Sequence, residues 1–270
     1  MSDTKKEDLF LLSEIYHENS KMRVIDREFY SWINHVNTSP TIRNMISRPN
    51  YNYNGYTAFK LQSDLEVEDE KKFLYNLFLK RRSTRSFADV PIDLNCLSRL
   101  LFLADGVTAS VKENDGSEWR MRTAPSPGAL FPIEIYCIVQ NVTGIPTGVY
   151  LFSPIQNEII AVDPQSREAL YKKMIKAMNP MKETLVNSPV VFVLAANMAR
   201  ISFKYKERAY RFALLETGHI AQNILIAAES ENLGAICVGG YIDDALNELI
   251  NADGLDTIVH YCIPIGQKVT

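Results

Sequence analysis

The sequence contains few of the residues that form metal centres or disulfide frameworks. Its 270 residues include four cysteines and four histidines. Cys96, Cys137, Cys237 and Cys262 lie far apart, and no two of them form a Cys-x-x-Cys pair. This spacing indicates neither a zinc ribbon nor a disulfide scaffold. Three of the four lie in apolar, strand-like stretches, which predicts buried thiols in a reducing, cytoplasmic compartment.

Long apolar runs and a strong net charge are also absent. No apolar stretch is long enough to span a bilayer, and the charged residues 1–10 do not resemble a secretory signal. The net charge of −3 and the pI near 5.9 argue against a general nucleic-acid-binding surface. The sequence has no dinucleotide-binding Gly-x-Gly-x-x-Gly motif and no cluster of spaced metal ligands. We therefore expect no nucleic-acid partner, no membrane span and no metal.

The residues that are present predict one large α+β domain with an N-terminal appendage. Hydrophobic residues make up 46% of the chain, enough for a substantial core. Helices and strands alternate and hairpins recur, a pattern typical of α+β proteins with a mixed sheet. We expect helices at 68–80, 94–105 (with Asp93 as cap) and 166–178. Strands are expected at 133–140, 148–152, 158–162, 189–196 and 257–265. Residues 107–122 are expected to form a polar loop.

Residues 1–69 differ in composition from the rest of the chain. A short helix is predicted near residues 9–16, and the many Asn, Pro, Tyr and Ser residues of 31–56 indicate irregular structure. We predict that residues 1–69 form an appendage that contacts a partner or a peptide. Residues 70–270 then form the main domain.

The chain is organised around residues 203–240, which begin with cationic and aromatic residues and continue as a long apolar helix. Its apolar positions extend nearly all the way round, which predicts a buried helix. Polar residues at 216, 219, 222 and 223 interrupt it and must meet one another, a neighbouring chain or a ligand. Because Glu216 and His219 share a helix face, we expect them to form a buried pair, with contact between His219 and a substrate as the alternative.

Three further stretches carry groups suited to binding an anionic, planar ligand. Arg81, Arg82, Ser83 and Arg85 could hold a phosphate through forked hydrogen bonds, or could form a solvated basic linker. The small and proline residues of 122–132 could lie against a planar ring, or could form an ordinary tight loop. The Gly239-Gly240 pair permits close backbone approach, or simply a turn.

Taken together, these stretches resemble the nitroreductase-fold flavoproteins. Residues 81–87 (RRSTRSF) are similar to the opening motif of that family. Residues 124–132 (APSPGALFP) and the pair Lys204-Tyr205, with the helix that follows it, are similar to the SagB-type dehydrogenases, which include the microcin B17-type azoline oxidases. Ala209 stands where that branch commonly has glycine. The resemblance covers about residues 70–270.

The resemblance implies a nitroreductase-like fold, with a central mixed, mainly antiparallel sheet flanked by helices, and a homodimer whose interface forms an FMN pocket. It implies oxidation of thiazoline or oxazoline rings in a modified peptide, with a cyclodehydratase as partner. The cofactor-binding residues would be Arg81, Arg82, Ser83, Arg85, Pro125, Ser126, Gly128, Gly239, Gly240 and Lys268.

The same resemblance makes Lys204 and Tyr205 the catalytic residues. Ring oxidation requires a base to take a proton from carbon, while the flavin accepts the electrons. Nearby cations stabilise a phenolate, so we assign Tyr205 as the base and Lys204 as the group that steadies developing charge. The reverse assignment stays open. An alternative function is reduction of a nitro compound or quinone by NAD(P)H, since nitroreductases bind NAD(P)H without a separate fingerprint domain.

Overall fold

The computed structural model describes residues 11–25, 27–46, 57, 59, 61, 67–114, 116 and 118–269. The chain forms two compact units. The first comprises Met1–Arg23 with Asn76–Thr270, and the second comprises Val24–Tyr75. The appendage predicted for residues 1–69 is thus divided, because its first part belongs to the larger unit. Whether either part contacts a partner stays a prediction.

Two helices, at 27–38 and 40–46, belong to the smaller unit. In the larger unit helices and strands alternate, as the sequence pattern predicts. The helices are α1 (Leu11–Ser20), α2 (Arg27–Thr38), α3 (Pro40–Ile46), α4 (Asp69–Lys80), α5 (Leu94–Asp105), α6 (Arg167–Met178), α7 (Lys182–Leu185), α8 (Ala199–Tyr205), α9 (Arg208–Ser230) and α10 (Asp243–Ile250). The strands are β1 (Ile92–Asp93), β2 (Val107–Lys112), β3 (Glu118–Arg122), β4 (Ile133–Val139), β5 (Val142–Thr143), β6 (Gly148–Ser153), β7 (Glu158–Pro164), β8 (Val190–Asn197), β9 (Leu233–Ala235) and β10 (Thr257–Gln267).

A six-stranded sheet with the order β7-β6-β4-β8-β10-β9 forms the centre of this unit, and its neighbouring strands pair antiparallel. β8 lies inside the sheet because its run VVFVLAAN is apolar on both faces. A parallel bridge from Ser83 to Ala235 extends the β9 edge. The α+β fold with a mixed, mainly antiparallel sheet is therefore confirmed.

The two faces of the sheet are covered by different helices. Successive side chains of a strand point to opposite faces, so Ile135 and Tyr136 of β4 belong to different cores. The first core contains α5 and α9, and the second contains α6 and α10. α9 therefore lies on the sheet for much of its length, and its position determines which loops it can meet.

Helix α1 makes polar contacts with residues in the C-terminal part of the larger unit. The Ser13 amide donates to Glu207 at 3.0 Å, and the Met22 amide donates to Asp243 at 2.8 Å. His17 is buried, and its Nδ1 lies 3.2 Å from the Tyr210 hydroxyl. No pattern in the sequence predicted these contacts.

Two predictions of irregular structure were wrong. The described part of residues 31–56 is helical in α2 and α3, where Ser39 and Pro40 form a helix start: the Ser39 hydroxyl accepts from the Ile42 amide at 3.4 Å. Residues 107–122 form the β2–β3 hairpin, in which Val111 pairs with Trp119. Polar composition concealed both elements, because each exposes most of its side chains.

The cysteines are all free thiols, and Cys137 and Cys262 are completely buried. Within the described residues no group of histidine, cysteine and carboxylate side chains could hold a metal ion. None of the helices described is both long enough and apolar enough to cross a bilayer.

The start of α5 provides a test of local stability. The Asp93 carboxylate accepts a hydrogen bond from the Cys96 amide at 2.6 Å, as the cap prediction requires. Asp93→Ala should lower the free energy of unfolding by about 1 kcal/mol, because this amide loses its partner. Denaturant unfolding measures the change, with Asp89→Ala as the control, since Asp89 makes one loose, exposed ion pair with Arg167. Equal effects in the two variants would contradict the capping role.

Candidate active site

The loop of residues 125–132 places Gly128 against the predicted catalytic pair. Gly128 has φ = 64°, and a Cβ added there would lie 2.6 Å from both Lys204 Nζ and Tyr205 Oη. Glycine is required at this position by both the left-handed backbone and the close approach. The structure thus brings three predicted site residues together although they are far apart in the sequence.

Lys204 and Tyr205 form the last turn of α8. The chain turns sharply after them, because Lys206 has φ = 47°. The Tyr205 ring packs edge-on against Phe212 of α9 with centroids 4.9 Å apart, and Lys204 Nζ lies 5.3 Å from the Tyr205 ring centroid. Tyr205 is therefore half-buried and fixed in orientation, while Lys204 stays exposed to solvent.

Ser126 links this loop to the middle of α9. Its hydroxyl donates to Glu216 Oε2 at 2.5 Å and accepts from the Phe131 amide at 2.9 Å. Glu216 is completely buried, and its Oε1 has no hydrogen-bond partner among the described residues. Pro125, the neighbour of Ser126, is exposed at the start of the loop.

Burial raises the pKa of Glu216 to about 7, against the opposing effect of the Ser126 hydrogen bond. Asp105 raises this pKa further, whereas the Ile133 amide and Arg122 lower it. Asp105 is itself buried and paired with Arg122, and desolvation raises its pKa to about 6. The loop therefore packs on a region where two carboxyl groups titrate near neutral pH.

A second group of predicted residues lies beside β9 and the end of β10. The Thr84 amide donates to the Ala235 carbonyl at 3.1 Å, and the Ala88 amide donates to Gln267 at 2.9 Å. A Cβ on Gly234 would lie 2.5 Å from the Thr84 side chain, so glycine is needed for this contact. Residues 81–88 are therefore held in extended form along the edge of the sheet.

The basic side chains of this second group differ in their partners. Arg82 donates to the carbonyls of Leu79 and Arg81 at 2.8 Å, and Lys268 pairs with Glu229 at 2.7 Å. Arg81 and Arg85 form no ion pair with any residue that the structure describes. The hydroxyl of Ser83 is exposed between them. Arg81 and Arg85 are thus the guanidinium groups available to an anion.

The predicted glycine pair also belongs to this second group. Gly239 lies near Tyr261 of β10, where an added Cβ would be 3.6 Å from the ring. Gly240 follows directly, and both precede α10. Cys237 lies two residues before Gly239. The positive charge of Arg81 lowers the pKa of the Cys237 thiol, but burial has the larger effect and raises that pKa to about 11. Arg81 and the glycine pair are therefore near one another.

Within one chain the two groups of site residues are far apart. The first contacts α9 through Glu216, and the second contacts it through the Lys268–Glu229 ion pair. Thirteen helical residues separate these two contacts, about 20 Å at the rise of an α-helix. The two groups of predicted residues are therefore attached to α9 at well-separated points.

One face of α9 near the first of these contacts is exposed. Leu214 and Leu215 are 42% and 54% exposed, and a Cβ added to Gly218 would meet nothing within 4 Å. The prediction of a helix buried on all sides was thus wrong for the single chain. The expected Glu216–His219 pair was also wrong, because Glu216 bonds Ser126 and His219 is exposed.

Several contacts near the site were not foreseen from the sequence. Arg122 stacks over the Phe131 ring at 4.3 Å, and Arg200 donates to the Phe131 carbonyl at 2.9 Å. Thr217, which follows Glu216 in α9, lies 2.9 Å from Nδ1 of the half-buried His260. Arg122 and Phe131 lie within the stretch already singled out, but nothing in the sequence indicated their partners.

The titration of Glu216 should be visible in the stability of the fold. Since its pKa rises on folding from the ordinary 4.5 to about 7, the folded state binds more protons between these values, and stability falls as the pH rises through that window. Between pH 5 and pH 8 the wild type should lose about 2–3 kcal/mol more than Glu216→Gln. Urea unfolding at both pH values measures this difference. Both proteins contain Asp105, so its own titration contributes to both pH profiles. Identical pH profiles would contradict the shift.

Comparison with known proteins agrees with the fold. The Nitroreductase family model matches residues 78–267. The protein MJ1384 of Methanocaldococcus jannaschii is 32% identical over 204 residues, which cover 76% of this chain and 94% of that protein. The microcin B17-processing protein McbC of Escherichia coli is 30% identical over 136 residues, 49% of each chain.

Among solved structures, a chain of the E. coli microcin synthetase McbBCD complex, with truncated pro-MccB17 bound, superposes with a TM-score of 0.71. The match covers 98% of this chain and 95% of that one, at 18% identity, and so shows a shared fold. The family model and the similarity to MJ1384 carry the assignment: this chain belongs to the nitroreductase family.

Proposed function

We propose that this protein is an FMN-dependent dehydrogenase of the SagB type that oxidises thiazoline or oxazoline rings in a modified peptide to thiazole or oxazole. The observation that carries the proposal is that Lys204 Nζ and Tyr205 Oη both lie next to Gly128, at the point where another residue would have its Cβ. A base and a cation at one point suit removal of a proton from carbon. The similarity to McbC, named as a peptide-processing protein, supports a peptide substrate.

The residues beside β9 fit the phosphate of FMN. Arg81 and Arg85 have no carboxylate partner in the described part of the chain, and forked guanidinium groups match phosphate oxygens. Ser83 adds a hydroxyl between them. We propose these three as the phosphate ligands, with Arg82 and Lys268 adding positive charge from positions where their own hydrogen bonds are met. Bound FMN supplies two-electron redox chemistry.

Tyr205 is proposed as the base and Lys204 as the group that stabilises developing negative charge. Tyr205 is half-buried and held by Phe212, so its hydroxyl has a defined direction. Lys204 is exposed and has a flexible stem, which suits a group that follows charge as it forms. Pro125, Ser126 and Gly128 would lie along the planar ring, and Gly239 and Gly240 would let backbone amides approach it.

A homodimer would join the two separated groups of residues. In an interface with twofold symmetry, the same surface of each copy meets its equivalent, so opposite ends of α9 can be brought side by side. Leu214 and Leu215 are exposed, and Gly218 lies about one turn further along α9. Together they provide an apolar surface that a second helix can approach closely. We propose that each flavin site combines the arginines of one chain with the loop of its partner.

The remaining partners follow from the same proposal. An azoline must be formed before it can be oxidised, so a cyclodehydratase is the enzyme class that supplies the substrate. The fold shared with a chain of the McbBCD complex is compatible with such an assembly. The appendage, residues 1–69, is proposed to contact the peptide or the cyclodehydratase.

A second function is favoured by the more extensive similarity to MJ1384, a nitroreductase by name. In this alternative, FMN takes hydride from NAD(P)H and passes electrons to a nitro compound or quinone. The Lys204–Tyr205 pair favours the first function, because such a reduction does not require a base near a carbon acid.

The catalytic assignment is tested by Tyr205→Phe and Lys204→Met. Each should lower the rate of azoline oxidation at least about 100-fold, because general-base catalysis contributes that much, while the protein stays yellow. Mass spectrometry of a thiazoline peptide, which loses two hydrogen atoms, measures the rate. Tyr171→Phe and Lys172→Met are matched controls, since this adjacent pair on α6 has similar exposure.

Two outcomes would contradict this assignment. Loss of flavin from both variants would indicate a binding role and not a chemical one. Anaerobic bleaching of the wild-type flavin by NADPH, without any oxidation of the thiazoline peptide, would favour the reductase.

The dimer is tested by Gly218→Arg. The substitution should leave the single chain folded, because the site is open and arginine favours helix more than glycine does. Blocking the α9 face should give a monomer that binds several-fold less FMN, measured by light scattering and by the flavin-to-protein absorbance ratio. Glu183→Arg, on the exposed side of α7, is the control. A yellow monomer would refute the shared site.

A further inference from the structure

We propose that Glu216 is a positioning residue, which acts through Ser126 to hold the 125–132 loop so that Gly128 meets Lys204 and Tyr205. The inference deepens the proposed function and rests on it for its effect on catalysis. Its structural part, that Glu216 fixes the loop, is independent of what reaction the site performs.

The loop needs such an anchor because its backbone is strained. Ala129 has φ = 52° and Phe131 has φ = 48°, and both lie in the left-handed region without being glycine. Each such residue costs about 1–2 kcal/mol. Strained backbone of this kind persists only where surrounding contacts determine it.

The Ser126 side chain is placed to supply that restraint. Its hydroxyl accepts from the Phe131 amide, five residues along the chain, while its carbonyl accepts from the Ala129 amide at 3.1 Å. The hydroxyl proton is directed to Glu216. Ser126 thus closes the loop upon itself and attaches the closed loop to α9.

The other restraints on the loop act at its far end. Arg200 holds the Phe131 carbonyl, Arg122 covers the Phe131 ring, and the Asn197 amide donates to the Pro132 carbonyl at 2.8 Å. Among the described residues, Glu216 is the side chain that Ser126 contacts outside the loop. Without it, the Ser126 end of the loop would lose its side-chain hydrogen bond to the rest of the protein.

To accept the Ser126 hydrogen bond, residue 216 needs an acceptor oxygen on a side chain as long as glutamate. Glu216 is completely buried, and the charged groups acting on it are Asp105 and Arg122, themselves paired. Ser126 needs one acceptor oxygen, which glutamine also offers. Leucine fills a similar volume but offers none, and apolar replacement of a buried charge is often neutral or stabilising. The two substitutions therefore separate the hydrogen bond from the fold.

The experiment compares Glu216→Leu with Glu216→Gln in the full-length, FMN-loaded protein. We expect Glu216→Leu to stay folded and yellow, with Phe131 amide exchange at least about tenfold faster because the loop opens more often. Its kcat for the thiazoline peptide should fall about 10- to 100-fold, as for small misplacements of reacting groups, with KM little changed. Glu216→Gln should keep slow exchange and most of the activity.

Each contrary result has a separate meaning. Slow Phe131 exchange in Glu216→Leu would overturn the anchoring role, and so would equal impairment of the leucine and glutamine variants. If exchange accelerates but kcat is unchanged, the loop does not position the catalytic pair and the inference fails. If the wild type oxidises no thiazoline, the proposed function fails, while the exchange measurement still decides whether Glu216 holds the loop. Should Glu216→Leu not fold, Glu216→Met also lacks an acceptor oxygen but leaves the Ser126 hydroxyl on the Phe131 amide, and the same exchange criterion applies.

Discussion

The packing of α9 on the central sheet is the constraint on which both halves of the candidate site depend. One face of the helix is fixed in the core by Ala213, Ile220 and Ile224. That contact determines which loop meets Glu216 and which tail meets Glu229. Because the helix is long, it separates the two halves of the candidate site and fixes the distance between the points where they are attached. Much of the geometry of the site is therefore determined by the core before any cofactor binds.

A buried carboxyl in the middle of such a helix is costly, and its retention needs a reason. Burial raises the pKa of Glu216 to about 7, so the ionised form is destabilised relative to water. The compensating contact is a short hydrogen bond to Ser126, and Oε1 has no partner in the described chain. A structure selected for stability alone would favour an apolar residue here. The cost is understandable if the bond holds a loop whose position matters.

Local features could be predicted from the sequence, and contacts between distant segments could not. The cap at Asp93 and the strand β8 depend on neighbouring residues and on apolar pattern, and both were found where expected. The β2–β3 hairpin was missed although VTASVK and EWRMR both alternate apolar and polar residues, because the two strands are short and the residues around them are mostly polar. The Ser126–Glu216 bond joins residues 90 apart, and local pattern cannot specify that pairing. Resemblance supplied the candidate residues without showing which of them meet.

The separation of the two groups also changes how the motifs should be interpreted. A list of cofactor-binding residues suggests one pocket, yet in this chain the loop that carries Gly128 is attached to α9 at Glu216, and Lys268 is attached to it at Glu229. In the proposed homodimer, a ligand that requires both groups is bound where two copies meet; otherwise one group has another purpose. The exposed Leu214 and Leu215 favour the first explanation, because apolar side chains beside an open glycine are well suited to a close helix contact. The same helix that separates the halves within a chain would then unite them between chains, so that cofactor binding and association depend on one surface.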